Sequence, residues 1–152
     1  MQFLAFHLGE ERYGLPARDL ARVLPFLECR PLAGAPDFVA GLIDYQGTPV
    51  PVIDLPMLVC RRPALPFLDT RILLVNYRPS PDDARLLGLI AERVTGLVVL
   101  EQSDFCEPGV ATALRCLGKV ATAAGLLQLV DLDHLLTGEV RAVLFPKGDR
   151  TC

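Results

Sequence analysis

Short runs of apolar residues, separated by glycine, proline or charged turns, dominate the pattern along this chain. Such punctuation is typical of all-β barrels and sandwiches. The sequence predicts strands at residues 3–8, 13–16, 40–45, 49–53, 71–77, 86–92, 94–100 and 126–130. Apolar residues at helical spacing predict one short helix after the second strand, carried by Ala17, Leu20, Ala21 and Leu24. Residues 101–119 are expected to be loop with irregular turns, and residues 140–145 either a final strand or an ordered tail.

Two motifs occur twice along the chain, in the same order. Residues 14–20 resemble residues 88–94, and residues 52–55 resemble residues 129–132. The offsets, 74 (88 minus 14) and 77 (129 minus 52), agree closely and suggest one structural unit used twice, with a chance match as the alternative. A doubled unit predicts a bilobed molecule with a seam where a partner could bind. The proline-rich segment 61–69 is the expected connection between the lobes.

Individual residues add local expectations. Pro49 and Pro51 are two apart in a strand, so their missing N–H groups face one edge and one side of that strand should be unpaired or bulged. Asp54 and Asp131 each follow a strand and precede apolar residues at helical spacing, so both are predicted helix caps. Gly138 is predicted to end the second of these helices.

Composition narrows the class of protein. The 152 residues are 51% hydrophobic with a formal net charge of −3, which excludes an intrinsically disordered chain. The longest charge-free run, residues 120–130, is about half of what a bilayer needs, and the apolar start has no basic region, so a cytoplasmic location is expected. Basic residues are scattered, which argues against nucleic-acid binding. The five cysteines show no C-x-x-C spacing and are interpreted as reduced thiols.

Residues that carry catalysis or bind cofactors are scarce. His7 and His134 are the two histidines, and each is more simply a surface or partly buried side chain than a general base. No cluster of metal ligands and no phosphate-binding glycine motif is present in the sequence, so no metal and no cofactor is expected. A hydrolase or redox enzyme using Cys106 or Cys116 with a histidine is the alternative. The chain is predicted not to be an enzyme.

Several segments resemble the CheW-like domains of bacterial chemotaxis. The resemblance covers residues 6–16, 36–47, 50–55, 87–94 and 127–136, in the family's order. It implies a mainly β fold of two small antiparallel SH3-like β-barrel subdomains packed together with a few short helices. One CheW-like domain is expected over residues 1–145, with a first barrel near 14–65 and a second near 70–137. In an alternative arrangement, the N-terminal strand and the C-terminal tail cross over between the barrels.

The resemblance also implies a function. Proteins of this family are non-enzymatic adaptors that join the cytoplasmic tips of chemoreceptors to the regulatory domain of a CheA-type histidine kinase. The resemblance implies that apolar barrel ends dock on the kinase, that a groove between the barrels binds the receptor coiled coil, and that the protein is recruited to membrane receptor arrays. The positions that correspond to partner-binding residues are Leu20, Arg22, Val23, Gly41, Gln46 and Gly47.

Two of these positions depart from the family pattern. Gln46 stands where the family usually has an arginine before the turn glycine, and Arg22 stands where it usually has an acidic residue near the end of the first helix. The family's acid–base pair is thus replaced by an arginine and a neutral amide. Because charge patterns select partners, we expect this adaptor to serve a dedicated pathway with its own receptor and kinase. A scaffold for another signalling enzyme, or a self-associating array component, is the runner-up.

Overall fold

The computed structural model describes residues 1–106, 117–122 and 125–146 and contains ten strands and two short α-helices within those ranges. The strands are β1 (Gln2–Leu8), β2 (Glu11–Pro16), β3 (Leu20–Pro25), β4 (Val39–Tyr45), β5 (Thr48–Asp54), β6 (Arg71–Ser80), β7 (Asp83–Val99), β8 (Phe105–Cys106), β9 (Leu117–Ala121) and β10 (Leu127–Val130). The helices are α1 (Leu55–Cys60) and α2 (Gly138–Leu144). The prediction of a mainly β fold is confirmed.

The strands form two sheets that share the long strand β7. Sheet A has the strand order β7-β1-β2-β10-β9-β8. Sheet B has the strand order β3-β6-β7-β5-β4. The first half of β7 pairs with β6 and β5, and its second half pairs with β1. Positive φ angles at Arg93 (49°) and Gly96 (141°) accompany the passage from one sheet to the other.

The repeated motifs meet crosswise rather than within each half of the chain. Gly14 of β2 lies opposite Leu129 of β10, and Gly88 of β7 lies opposite Val52 of β5, both in parallel pairs. The two glycines correspond in the repeat, and so do their two partners. Each sheet therefore contains one parallel pair built from the first motif of one half and the second motif of the other half.

Three apolar clusters form the core, and the largest of them joins the two sheets. One lies within sheet B, formed by Ile43, Val50, Val52, Ile72, Leu74 and Ile90. A second lies within sheet A, formed by Phe3, Ala5, Leu100, Ala121 and Leu127. The largest includes Phe6 and Leu15 of sheet A, Leu73 and Leu89 of sheet B, and Val140 of α2. The seam between the sheets is therefore mostly filled by core side chains, and only its rim is open to a partner.

Several local predictions are wrong. The helix expected from Ala17 to Leu24 is a 3₁₀ turn at Ala17–Asp19 followed by strand β3, because pairing with β6 outweighs a helical period of only four residues. The strands expected at 86–92 and 94–100 are one strand, β7, since β1 continues the pairing where β6 ends. Gly138 begins α2 rather than ending a helix, with the Thr137 side chain accepting a hydrogen bond from Val140 N–H. Residues 140–145 are mainly helical, neither strand nor tail.

Other local predictions are confirmed. Pro49 and Pro51 pair with β4 on one side, while β5 pairs with β7 only from Val52 onward, so the opposite edge at the prolines has no strand beside it in the described structure. Asp54 caps α1 by accepting a hydrogen bond from Met57 N–H at 3.0 Å. Asp131 also acts as a cap, accepting a hydrogen bond from Asp133 N–H at 3.0 Å, but the helix expected over Leu132, Leu135 and Leu136 is only a 3₁₀ turn at Leu132–His134.

Two connections differ from the expectation. Segment 61–70 joins α1 to β6 and leads from β5 to β6 of the same sheet B, so it does not connect two lobes. The expected loop at 101–119 contains a 3₁₀ turn, β8 and the start of β9, and residues 107–116 lie outside the described part. The barrel ranges 14–65 and 70–137 stay predictions, although strand pairing places β6 beside β3 and β2 beside β10.

Candidate partner-binding face

Strand β3 carries three of the six candidate residues. It pairs with β6 on one side and ends the strand order of sheet B on the other. Arg22 and Val23 are exposed, and Leu20 is half-buried against the large core cluster. Leu20 therefore contributes packing, whereas Arg22 and Val23 present their side chains to solvent on an edge strand.

The hairpin between β4 and β5 carries two more candidates. Gln46 (φ 51°) and Gly47 (φ 84°) both have left-handed backbone, which is the pattern of a two-residue type I′ turn. The N–H of Gly47 donates a hydrogen bond of 2.8 Å to the Asp44 carboxylate. Glycine at position 47 is thus explained by the turn, while the exposed Gln46 side chain is free to make a contact.

Gly41 is a buried residue whose role lies in the backbone. Its φ is 137°, and a Cβ at this position would collide with the carbonyl oxygen of Arg30. That close approach accompanies the bridge in which Arg30 and Leu42 exchange two hydrogen bonds of 2.8 Å. Gly41 therefore allows the chain after β3 to lie against β4, and a partner would not contact it directly.

Arg22 and Gln46 are not joined by a hydrogen bond, and Arg22 has no ion pair in the part of the chain that the structure describes. Arg22 lies in β3, where the sequence suggested a helix end, and Gln46 lies at a hairpin tip. A concavity of about 630 Å³ opens beside this tip, and Gly47 lines it together with apolar and charged residues from the segment after β3 and from β4. The two altered positions thus lie on different elements, one on β3 and one in the turn between β4 and β5.

A second concavity lies at the rim of the seam, and sequence analysis did not find it. About 580 Å³ in volume, it is bordered by the end of β2, by β6, and by the turn after β10. Asp19 lies on it, and burial raises the pKa of this carboxyl, with Arg18 lowering it and Asp133 and Asp131 raising it further. The sequence predicts Asp131 only as a helix cap and does not indicate this concavity.

The histidines and cysteines form no catalytic arrangement among the described residues. His7 lies in β1, and its Nδ1 atom is buried without a hydrogen-bond partner there. His134 contacts its neighbour Asp131 at 2.7 Å, on the surface. Burial raises the pKa of the Cys29 and Cys60 thiols, so neither is an activated thiolate. Cys106 is a free exposed thiol, and Cys116 lies outside the described residues.

The described residues contain neither a cluster of metal ligands nor a helix that could span a membrane. No three side chains of histidine, cysteine, aspartate or glutamate come together as metal ligands there. No helix in the same ranges is long and apolar enough to cross a membrane.

Two small β-sheets share strand β7 and pack through a common apolar cluster, and open concavities lie at their surface. The sequence matches the family model of the CheW-like domain over residues 2–140, so this chain belongs to the CheW-like family. The Chemotaxis protein CheW of Klebsiella aerogenes is 25% identical over 148 residues, covering 94% of this chain and 86% of that protein. Protein FrzA of Myxococcus xanthus is 28% identical over 148 residues, covering 93% and 89%.

A solved structure supports the fold assignment. The scaffolding protein TtCheW of Thermoanaerobacter tengcongensis superposes with a TM-score of 0.79, covering 90% of this chain and 94% of that one. At 24% identity this likeness concerns the fold. The expected mainly β fold with a few short helices is therefore confirmed both by the strands of this chain and by its structural neighbour.

Proposed function

We propose that this chain is a signal-transduction adaptor that couples chemoreceptors to a CheA-type histidine kinase. The observation that carries the proposal is the match to the CheW-like domain over nearly the whole chain, residues 2–140. Relatives named as chemotaxis proteins, and a structural neighbour described as a scaffolding protein, support it. The adaptor works by binding, because scaffolding requires surfaces that hold two partners together and no transformation of either.

The two partners are the regulatory domain of the kinase and the cytoplasmic tip of a receptor. The chain acts in the cytoplasm and reaches the membrane through receptor arrays. Exposed Arg22, Val23 and Gln46 make the contacts that distinguish partners. Leu20 supports this face by packing beneath β3, and Gly41 and Gly47 support it through the backbone geometry of β4 and of the hairpin turn.

The pathway is a dedicated one with its own receptor and kinase. Arg22 and Gln46 support this proposal, because they replace the acid–base pair expected for the family with a cation and a neutral side chain. A partner surface that matches the family pattern would place a cation opposite Arg22, where the family has a carboxylate. Contacts between like charges lower affinity. The relatives also include both CheW and FrzA proteins at similar identity, so the standard adaptor is not singled out.

Pairwise binding tests the adaptor function. The chain is titrated with the regulatory domain of its own cell's CheA-type kinase and, separately, with a receptor-tip fragment, by isothermal calorimetry. Binding of both, and formation of a ternary complex, is expected. If neither binds while another signalling enzyme does, the chain scaffolds that enzyme instead. Equal affinity for a standard flagellar kinase and for its own would contradict the dedicated pathway.

A further inference from the structure

The C-terminal helix leads from sheet A to sheet B. Helix α2 follows β10 of sheet A and the 3₁₀ turn at Leu132–His134, and Phe145 directly follows α2. The Phe145 ring is 6% exposed and stacks on the ring of Tyr77 in β6, with the ring centres 5.5 Å apart. The guanidinium of Arg85 in β7 lies 6.0 Å from the centre of the same Phe145 ring. We call α2 and Phe145 the strap, because together they tie the end of sheet A to sheet B.

The strap holds Tyr77 at two points. Besides the ring contact with Phe145, the Nε atom of Arg141 donates a hydrogen bond of 3.0 Å to the Tyr77 hydroxyl. Only 2% of Tyr77 is exposed, and a buried hydroxyl that loses its hydrogen-bond partner destabilises the fold. Val140 anchors the same helix in the apolar cluster that joins the two sheets. The position of Tyr77 therefore depends on the strap as well as on strand pairing.

Strand pairing alone supports this part of sheet B weakly. The neighbouring strand β3 pairs with β6 only up to Val75, and β5 pairs with β7 only from Gly88 onward. Residues 76–86, which we call the hairpin end, thus have no third strand beside them in the described structure, and the register between β6 and β7 shifts after Tyr77. A space of about 250 Å³ lies between the start of β5 and the start of β7, and Phe145 is one of its lining residues. The strap therefore packs where strand contacts are missing.

The hairpin end also lines the concavity of about 580 Å³ at the rim of the seam, which we call the seam concavity. Asn76, Tyr77 and Arg78 belong to both the hairpin end and this lining. None of the described lining residues belongs to the strap. A partner bound in the seam concavity would therefore touch Tyr77 without touching the strap that holds Tyr77 in place.

We propose that the strap controls partner binding at the seam concavity through Tyr77. While the strap is packed, the hairpin end keeps one geometry and the concavity is preformed, so little conformational freedom is lost on binding. When the strap opens, the Tyr77 hydroxyl loses its partner, and the hairpin end gains freedom that a bound partner must remove. Arg141 and Phe145 are thus positioning residues, which act on a site that they do not touch.

The inference rests on the proposed adaptor function, because the receptor tip is the partner expected in the groove between the two halves of the molecule. Control of this kind is reciprocal: if the strapped form binds the receptor tip better, a bound receptor tip makes the strap harder to open by the same factor. Binding at the seam concavity should therefore be detectable in α2, which lies outside the lining of that concavity.

Amide hydrogen exchange tests the strap in the free protein. Phe145→Ala is expected to raise exchange rates within the hairpin end about tenfold or more, because local opening becomes easier. Phe145→Leu keeps an apolar side chain and should raise them less. Val143→Ala truncates a 63% exposed side chain of the same helix and is the matched control, with unchanged exchange. Circular dichroism confirms that each variant is folded.

Titration with a receptor-tip fragment tests the coupling. Phe145→Ala and Arg141→Leu should each bind the fragment about tenfold more weakly than wild type, whereas Val143→Ala should bind it equally well. In wild type, the bound fragment should slow amide exchange within α2 about tenfold, a change that a merely structural role of the strap would not produce.

Three results would overturn the proposal: unchanged exchange of the hairpin end in Phe145→Ala, unchanged affinity of that variant for the receptor tip, or unchanged exchange of α2 in wild type with the fragment bound. If the fragment binds neither wild type nor any variant, the proposed partner is wrong. Exchange of the hairpin end in the free protein then decides by itself whether the strap positions Tyr77.

Discussion

Arg62 and Glu92 form a two-pronged ion pair beneath the loop that joins α1 to β6. The guanidinium donates hydrogen bonds of 2.7 and 3.0 Å to the two carboxylate oxygens. Glu92 is 1% exposed, whereas about a third of the Arg62 side chain is open to solvent. Because Glu92 lies at the point where β7 leaves β6 and joins β1, this pair attaches the loop to the strand shared by both sheets.

The first prediction concerns the response of stability to acid. Burial raises the pKa of Glu92, but the hydrogen bond from Arg62 and the N–H groups of Leu65 and Gly9 outweigh burial and lower the pKa below its ordinary value of 4.5. A carboxyl with a lowered folded pKa stabilises the protein above its unfolded pKa and loses this contribution as pH falls through the folded value. Wild type should therefore lose stability to urea below about pH 4.5.

Glu92→Gln should remove that part of the pH dependence and destabilise the neutral protein by on the order of 3 kcal/mol, reduced by the partial exposure of Arg62. Urea midpoints measured from neutral to acid pH test both statements. Asp83→Asn breaks a more exposed pair with Arg85 and is the control, with an expected loss of less than about 1 kcal/mol. Parallel pH curves for wild type and Glu92→Gln would contradict this role for Glu92.

The second prediction separates two glycines of the candidate face. Gly47 and Gly41 both have positive φ, but a Cβ at Gly47 meets nothing within 4 Å, whereas one at Gly41 collides with the Arg30 carbonyl. Gly47→Ala should thus cost only backbone strain, about 1 to 2 kcal/mol. Gly41→Ala should cost clearly more, because the bridge between Arg30 and Leu42 must move as well. Thermal unfolding of both variants measures the two losses of stability. Equal losses would show that the close approach of Arg30 to Gly41 does not contribute to stability.

The third prediction tests the crosswise pairing of the repeated motifs. A Cβ at Gly88 would lie 2.9 Å from Val52 Cγ2, in the fully buried part of sheet B. Gly88→Ala should destabilise the protein by about 1 to 3 kcal/mol through overpacking. Val52→Ala removes the colliding methyl group. The loss of stability in the double variant should therefore be smaller than the sum of the two single losses. Additive losses in this double-mutant cycle would place the strain elsewhere.

Sequence patterns predicted the elements whose causes are local. Asp54 caps α1 and the prolines of β5 face an unpaired edge, because a cap and a missing N–H act within a few residues. The sequence predicts a helix where strand β3 forms. Its pairing with β6 joins residues about fifty positions apart, and a local hydrophobic period gives no information on such a contact. The sequence shows the repeat, but it does not show that the repeated motifs of one half pair with those of the other half. The ion pair between Arg62 and Glu92 cannot be predicted either, because the two residues are far apart in the sequence.

The candidate face was predictable only in part. Resemblance to the family pointed to Gly41 and Gly47, and the structure gives both a backbone reason. The concavities arise where segments distant in sequence meet, and Leu68 carries no local sign that its side chain is 97% exposed. Exposure of an apolar residue depends on the packing of the whole chain, so it becomes visible only in the fold.

The last prediction concerns partner choice. Arg22→Glu together with Gln46→Arg restores the charges expected for the family at two exposed positions, one on β3 and one at the tip of the β4–β5 hairpin. Neither wild-type side chain has an internal ion pair in the described structure, so folding stability should change by less than about 0.5 kcal/mol. Affinity for a standard flagellar kinase regulatory domain should rise about tenfold and affinity for the chain's own kinase should fall, because charge pairs set specificity across an interface.

Calorimetric titration of the double variant and both single variants against the two kinases measures these changes in affinity. Each single variant carries only one of the two charges and should show a smaller gain than the double variant. Glu139→Gln on α2 changes charge away from this face and is the control, with no expected effect on either kinase. If the double variant keeps the wild-type preference, Arg22 and Gln46 do not choose the partner, and recognition must rest on other surfaces of the two sheets.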